Sequence, residues 1–180
     1  MALSAAGLLA IAGYEGFSNV AYQPLPGDKW TIGFGHTEDV QPENTISLQG
    51  AIYLLQKDVR RFEDAVNSSV KVPLKQHEFD ALVSLTYNIG VGNFKSSTLL
   101  KCLNAGDRSC VADQWLRWKY FKGVPQRGLA NRRARELAIF NGEQVTTAPD
   151  SRICFGSAGC IGYSDLLQER MRAPDNASQG

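Results

Sequence analysis

The sequence predicts an α+β fold, mostly helical, with a small antiparallel sheet in its N-terminal part. Three observations carry this. Apolar residues recur at helical spacing through most of the chain. Alternation of period two is confined to Trp30–Gly35, with Trp30, Ile32 and Phe34 on one face and Thr31, Gly33 and Gly35 on the other. Glycine and proline breaks cut the helical part into short segments. The 180 residues, 43% of them hydrophobic, suffice for one domain that can divide into two lobes.

The elements follow in order. Leu8, Ile11, Ala12 and Glu15 share one face of a first helix, with Ser4 as its N-cap and Gly16 as its stop. Val20–Gln23 reads as a strand, residues 24–28 as a turn, and Trp30–Gly35 as the returning strand. His36 ends that strand, where it can pin the sheet by bonding a neighbouring acid. Pro42–Asn44 breaks the chain. Ile46–Val66 is a long amphipathic helix with Ala51, Leu54, Leu55, Val59, Phe62 and Val66 inward and a charged outer face. Lys75–Ile89 is an apolar core helix that ends at Asn88 and the Gly90–Gly92 bend. Further helices are expected over Ser97–Asn104, Ser109–Tyr120 and Gly128–Phe140, with a loop over Phe121–Gly128. Trp115 and Trp118 stand at helical spacing and suit the core better than a sugar platform. Beyond Glu143 the chain is turn-rich, with a short helix near LLQERM and a polar tail, Pro174–Gly180, expected to be disordered.

The chemistry concentrates in Tyr14–Thr37. Glu15 ends an otherwise apolar helix. The negative end of the helix dipole and apolar neighbours both disfavour the ionised carboxylate, as a general acid requires. Thr31 lies on the glycine-rich face of the strand, and Asp28 lies in the turn before it. A carboxylate and a hydroxyl across a gap from Glu15 could hold a water on the far side of a sugar ring. A solvated acid and an ordinary turn would give the same spacing.

Four sequence stretches, Glu15–Gly16, Ala21–Tyr22, Thr31–Thr37 (TIGFGHT) and Ala81–Leu100, resemble the phage-type lysozymes, the endolysins of glycoside hydrolase family 24. So do LNAGD, QWLRW and GLANRRARE further on, and the likeness covers roughly residues 3–142. The resemblance implies a lysozyme-like two-lobed fold: an N-lobe over about 1–46, a linking helix over about 47–66, a helical C-lobe over about 67–142, and a separate extension over 143–180. It implies an N-acetylmuramidase that hydrolyses the β-1,4 bond between N-acetylmuramic acid and N-acetylglucosamine in peptidoglycan, with inversion, for host cell lysis. The family's catalytic pattern is E-x8-[DC]-x5-T. Glu15 and Thr31 match its ends. Eight residues past Glu15 the count reaches Pro24, and the count back from Thr31 reaches Leu25, so this loop is one residue longer. Asp28 is the only acid in the loop and takes the middle role, with Gln23 as a possible helper to Thr31. Asn88 matches a position that lines the sugar cleft, though a helix C-cap amide would look the same. Phe94 fits beside the cleft or in the core equally well. Either Arg132 or Arg133 resembles the family's cleft-facing arginine, which can approach the catalytic Glu; spacing does not choose between them. Competing readings are a lytic transglycosylase, which needs one acid, and an inactive peptidoglycan-binding relative.

Net charge is +1, but its distribution is uneven. Phe94–Phe140 carries ten Lys/Arg against three Asp/Glu, a local +7, and Met1–Gly50 carries one against five, a local −4. A basic C-terminal half suits an anionic polymer such as a cell wall or an outer-membrane surface, and equally a solvated charged helical face; no nucleic-acid motif stands out, so no nucleic-acid partner is expected. The expected partner is the peptidoglycan glycan strand, and the expected state a monomer. Met1–Gly13 is too short to span a membrane and lacks a basic start, so no signal peptide or membrane anchor is expected. The resemblance then implies synthesis in the host cytoplasm and passage to the periplasm through a holin-type pore. Cys102 and Cys110, and Cys154 and Cys160, lie in two close pairs; local disulfides and free thiols both remain open for the first pair. Neither spacing suits a metal, and neither metal nor cofactor is expected.

Overall fold

The computed structural model describes residues 1–143, 152–162 and 164–166. The expected LLQERM helix beyond Leu166, and the tail at 174–180, lie outside the described residues.

Helix α1, Ala5–Glu15, is capped as the sequence predicts: the Ser4 hydroxyl accepts from Gly7 N at 3.0 Å, and the Gly16 amide closes the last turn on the Ala12 carbonyl. Its start is clamped from elsewhere. Buried Asp80 accepts from Ser4 N at 2.9 Å, from the Ser4 hydroxyl, and from Gln76 Nε2 at 2.8 Å. One carboxylate thus holds the first helix to the third.

Strand β1, Ser18–Tyr22, pairs antiparallel with β2, Thr31–Gly33, with Ser18 opposite Gly33 and Tyr22 opposite Thr31. Gly33 has φ of 65°, and a Cβ there would stand 3.0 Å from that of Ala51, so only glycine lets the sheet approach the long helix so closely. That helix is α2, Leu48–Ser69, started by Ser47 and reaching three residues beyond the expected end. His36 Nδ1 meets Asp58 Oδ2 of α2 at 2.8 Å, the pinning contact expected of it.

The remaining helices are α3 (Gln76–Ile89), α4 (Val91–Ser96), α5 (Thr98–Asn104), α6 (Arg108–Trp115) and α7 (Arg127–Phe140). Helix α3 is the centre, packed on α1, α2 and α7, with Phe79, Leu82, Val83 and Leu85 wholly buried. Two readings change. The bend at 90–92 opens a further helix, α4. The segment expected to remain helical to Tyr120 ends at Trp115, and the expected loop contains a tight hairpin: β3, Tyr120–Phe121, and β4, Val124–Pro125. Lys122 and Gly123, at φ of 49° and 78°, make its two-residue turn. Among the described residues no helix is long and apolar enough to cross a membrane.

Both local cysteine pairs are disulfides, Cys102–Cys110 and Cys154–Cys160. The second closes a hairpin of β5, Arg152–Cys154, and β6, Cys160–Gly162. This hairpin lies against the N-terminal elements. The Phe155 ring stands 5.8 Å from Phe17 and 5.3 Å from Phe34, and Ile153 covers Gly13 so closely that a Cβ there would be 2.8 Å from its Cδ1. Ile161 and Leu166 are buried. The hairpin therefore braces the end of the helix that carries Glu15. Replacing Cys154 and Cys160 together by Ser is expected to lower stability by about 2 kcal/mol, from the entropy of the short loop released. Urea unfolding of the two proteins measures it; equal midpoints would mean the apolar contacts alone hold the hairpin.

Candidate active site

Glu15 lies at the last position of α1, with its side chain 22% exposed. Its Oε1 accepts from Arg132 Nη1 at 2.7 Å. The expected apolar surroundings are therefore corrected: the carboxylate meets a guanidinium delivered by α7, 117 residues away in sequence. Arg132 is not free to serve Glu15 alone. Its Nε donates to Glu136 at 2.9 Å, its Nη2 to the Ser84 carbonyl at 3.2 Å, and its guanidinium lies 4.7 Å over the Tyr14 ring.

Glu136 is the hub behind the site. It is fully buried, and it accepts from the Ser84 hydroxyl at 2.7 Å, Trp115 Nε1 at 3.3 Å, Arg132 Nε, and Arg133 Nη2 at 2.9 Å. Two carboxylates and two guanidiniums thus form a cluster of no net charge, which is how four ionic groups tolerate a largely dry setting. The arginines differ within it. Burial works against the charge on both. At Arg132 the carboxylates of Glu136 and Glu15 outweigh burial and raise its pKa; at Arg133 burial prevails over Glu136 and lowers it. Sequence reasoning missed Ser84, Trp115 and Glu136. The i, i+3 and i, i+4 spacing of Arg133 and Arg132 to Glu136 was the available signal.

The other candidates are placed as follows. Thr31 is buried on β2, and its hydroxyl donates to the Lys29 carbonyl at 3.1 Å. Asp28 is exposed in the turn between β1 and β2. Its carboxylate accepts from Leu25 N at 3.1 Å, while Gln23 Nε2 donates to its carbonyl at 2.7 Å. The contacts of Asp28 and Gln23 therefore shape the turn itself. Arg132, not Arg133, is the arginine that reaches Glu15. For Arg133 and Phe94 the expectation of a ligand-facing side chain gives way, since both are wholly buried. Adjacent Arg132 and Arg133 point about 100° apart on the helix. Phe94 sits on the inner face of α4 and joins the core.

Asn88 is exposed at the end of α3 and lines a cavity of about 440 Å³ with Arg61, Phe62, Tyr87 and Val91. Its size is in the range of small-ligand sites. Tyr87 forms part of the wall of this cavity. Its ring stacks 4.9 Å from Phe62, and its hydroxyl donates to the Phe34 carbonyl at 3.1 Å. Burial first, and the negative charges of Glu15 and Asp58 next, hold its phenol well above the ordinary tyrosine range. Tyr14 is raised too, by burial and then by Glu136. Both phenols are thus neutral in the folded state at pH values where an unfolded chain would ionise them. The stability they add is complete below the unfolded tyrosine pKa, about 10, and is lost as pH rises through the higher folded values. Alkaline unfolding is expected to set in above about pH 10 and to be delayed in Tyr87→Phe, which has no proton to lose. A circular-dichroism titration of both proteins checks it; coincident curves would place the alkaline transition elsewhere.

Comparison with known proteins follows this geometry. A family model described as Phage lysozyme matches residues 12–136. The endolysin of Bacillus phage PZA is 44% identical over 143 residues, covering 78% of this chain and 55% of that protein. The chain spans about half the length of that relative and of the endolysin of Bacillus phage B103. The endolysin of Salmonella phage P22 is 39% identical over 145 residues, covering 78% of this chain and 98% of that one. Among solved structures, the muramidase domain of SpmX from Asticaccaulis excentricus matches with a TM-score of 0.73 and 36% identity, over 77% of this chain and 96% of that one.

Proposed function

Because this chain belongs to the phage lysozyme family, we propose that it is a peptidoglycan-cleaving endolysin, a glycosidase hydrolysing the β-1,4 bond between N-acetylmuramic acid and N-acetylglucosamine with inversion. The observation that carries this reading is the Glu15 carboxylate at the end of α1, held at 2.7 Å by the buried Arg132. Glu15 is the general acid that protonates the leaving oxygen. Asp28 orients or activates the water, and Thr31 holds it from the far side. Asn88 and the cavity beside it receive part of the glycan. The catalytic unit is residues 1–142, a monomer acting on the cell wall after synthesis in the host cytoplasm and release through a holin-type pore. Of the extension beyond it, the described hairpin over Arg152–Gly162 packs against the N-terminal elements of that unit.

One observation favours a second reading. Asp28 is exposed and bonded within its own turn, which leaves Glu15 as the acid best held for catalysis. A single acid suits a lytic transglycosylase, whose product is an anhydro sugar formed without water.

Digestion of purified peptidoglycan by wild type and Asp28→Asn, read by mass spectrometry of the muropeptides, separates these readings. Hydrolysis gives reducing-end muramic acid; transglycosylation gives products one water lighter. Asn keeps an acceptor for Leu25 N but loses the charge. Activity is expected to fall on the order of 100-fold if Asp28 activates water. Unchanged activity would remove Asp28 from the mechanism, and no product from wild type would favour a module that binds the wall without cutting it.

A further inference from the structure

Among the described residues, exposed large apolar side chains gather on the β3–β4 hairpin. Tyr120 is 54% exposed, Phe121 57% and Val124 57%, and Leu116, just before the hairpin, is 42% exposed. Cα partners across the ladder are Tyr120 with Pro125 and Phe121 with Val124. Partners share a face, and successive residues take opposite faces. Phe121 and Val124 therefore project from one face, Tyr120 and Pro125 from the other, and all four are exposed. Docking against a protein or along a glycan strand covers one face of a two-stranded ribbon. A medium that the ribbon enters covers both.

The charges around the hairpin select the medium. No Asp or Glu occurs between Asp113 and Glu136. Arg117, Lys122, Arg127 and Arg135 are exposed there, and Lys119 is half-buried. The ammonium groups of Lys119 and Lys122 lie 5.9 and 5.5 Å from the ring centres of Tyr120 and Phe121. Each cation thus rides beside an apolar body, the arrangement by which a side chain keeps its charge at a polar boundary while the ring enters an apolar one.

We propose that the β3–β4 hairpin inserts into the interfacial layer of an anionic phospholipid bilayer, with Phe121 and Val124 leading and the surrounding cations meeting the lipid phosphates. Apolar insertion supplies the grip, and charge supplies the preference for anionic lipid. The hairpin contributes no residue to the Glu15–Arg132–Glu136 cluster, so membrane binding and glycan cleavage can be read separately.

The test is co-sedimentation of the full chain with phosphatidylcholine vesicles, with and without phosphatidylglycerol. Wild type is expected to pellet with the phosphatidylglycerol vesicles and to be released by high salt. The Phe121→Ser, Val124→Ser double variant is expected to bind on the order of tenfold or more weakly, with unchanged circular dichroism and unchanged cleavage of soluble glycan fragments. A Phe121→Trp variant reports insertion directly: its emission, compared with that of wild type, is expected to shift to the blue when these vesicles are added. The proposal is overturned if wild type fails to pellet with anionic vesicles, if the double variant pellets equally well, or if the Phe121→Trp emission does not move. Hairpin-dependent pelleting with lipid-free sacculi but not with vesicles would also overturn it and assign the surface to the wall.

Discussion

Glu15→Gln is expected to abolish glycan cleavage and leave the fold in place. The amide is isosteric with the carboxylate, and its oxygen can still accept from Arg132 Nη1. Arg132 also keeps its bonds to Glu136 and to the Ser84 carbonyl. The structural loss is one charge-assisted bond at a partly exposed group, on the order of 1 kcal/mol. The chemical loss is far larger, because an amide cannot protonate the departing glycosidic oxygen. General acid catalysis of this kind contributes about 10² to 10⁴ in rate. The expected result is a fall in kcat on the order of 10³ with a thermal midpoint within a few degrees of wild type. Release of soluble muropeptides from purified sacculi measures the first, and calorimetry the second. Activity within tenfold of wild type would remove Glu15 from the chemistry. The ionic setting makes this test informative. Arg132 bonds to both Glu15 and Glu136, so removing the charge at Glu15 leaves the guanidinium its bond to Glu136.

The second large effect is expected at Glu136, and it is on stability. Glu136→Leu keeps the bulk and removes the carboxylate that serves both buried arginines. Arg133 then loses its carboxylate altogether, in a site with no exposure to water. The Ser84 hydroxyl and Trp115 Nε1 lose their acceptor as well. Breaking a buried pair in this way costs about 3–5 kcal/mol, against a total stability of about 5–15 kcal/mol. At roughly 2–4 °C per kcal/mol for a chain of this size, the midpoint is expected to fall by about 10 °C or more. Glu136→Gln should fold, since it retains an acceptor, but it should hold Arg132 less firmly. Its expected signature is a lower kcat with a smaller change in KM, because Arg132 bonds directly to the acid. A Glu136→Leu protein as stable as wild type would show that helix α7 is held by its apolar contacts alone.

These two residues mark the boundary between what could be read from the chain and what could not. Glu15 was legible because its signals are local. Apolar spacing, the Ser4 cap and the Gly16 stop set a helix with an acid at its last turn, and hydrogen bonds spanning three or four residues enforce all of it. The TIG strand was legible for the same reason, as was His36 at its end. The Asp28 turn was legible as a turn, and its side chain does what short polar side chains in turns do. Both disulfides join cysteines close in sequence, so proximity alone made local pairing the simplest expectation.

What the sequence determined by itself, then, is the mostly helical character, the acid-bearing helix, the small sheet, and the family resemblance carried by their motifs. The tertiary structure alone decided which arginine reaches the acid. Arg132 and Arg133 are neighbours of the same type, and a 100° turn between them means nothing until the positions of α1 and α3 are known. It decided that Phe94 belongs to the core, because an aromatic residue after a glycine bend fits a cleft or an interior equally well by pattern. It decided that the Cys154–Cys160 hairpin braces the N-terminal elements, a contact made by Ile153 and Phe155 with residues over a hundred positions away. The physical reason is common to all three. Periodicity and capping act over one turn of chain, whereas burial and ion pairing depend on which surfaces meet when distant segments pack.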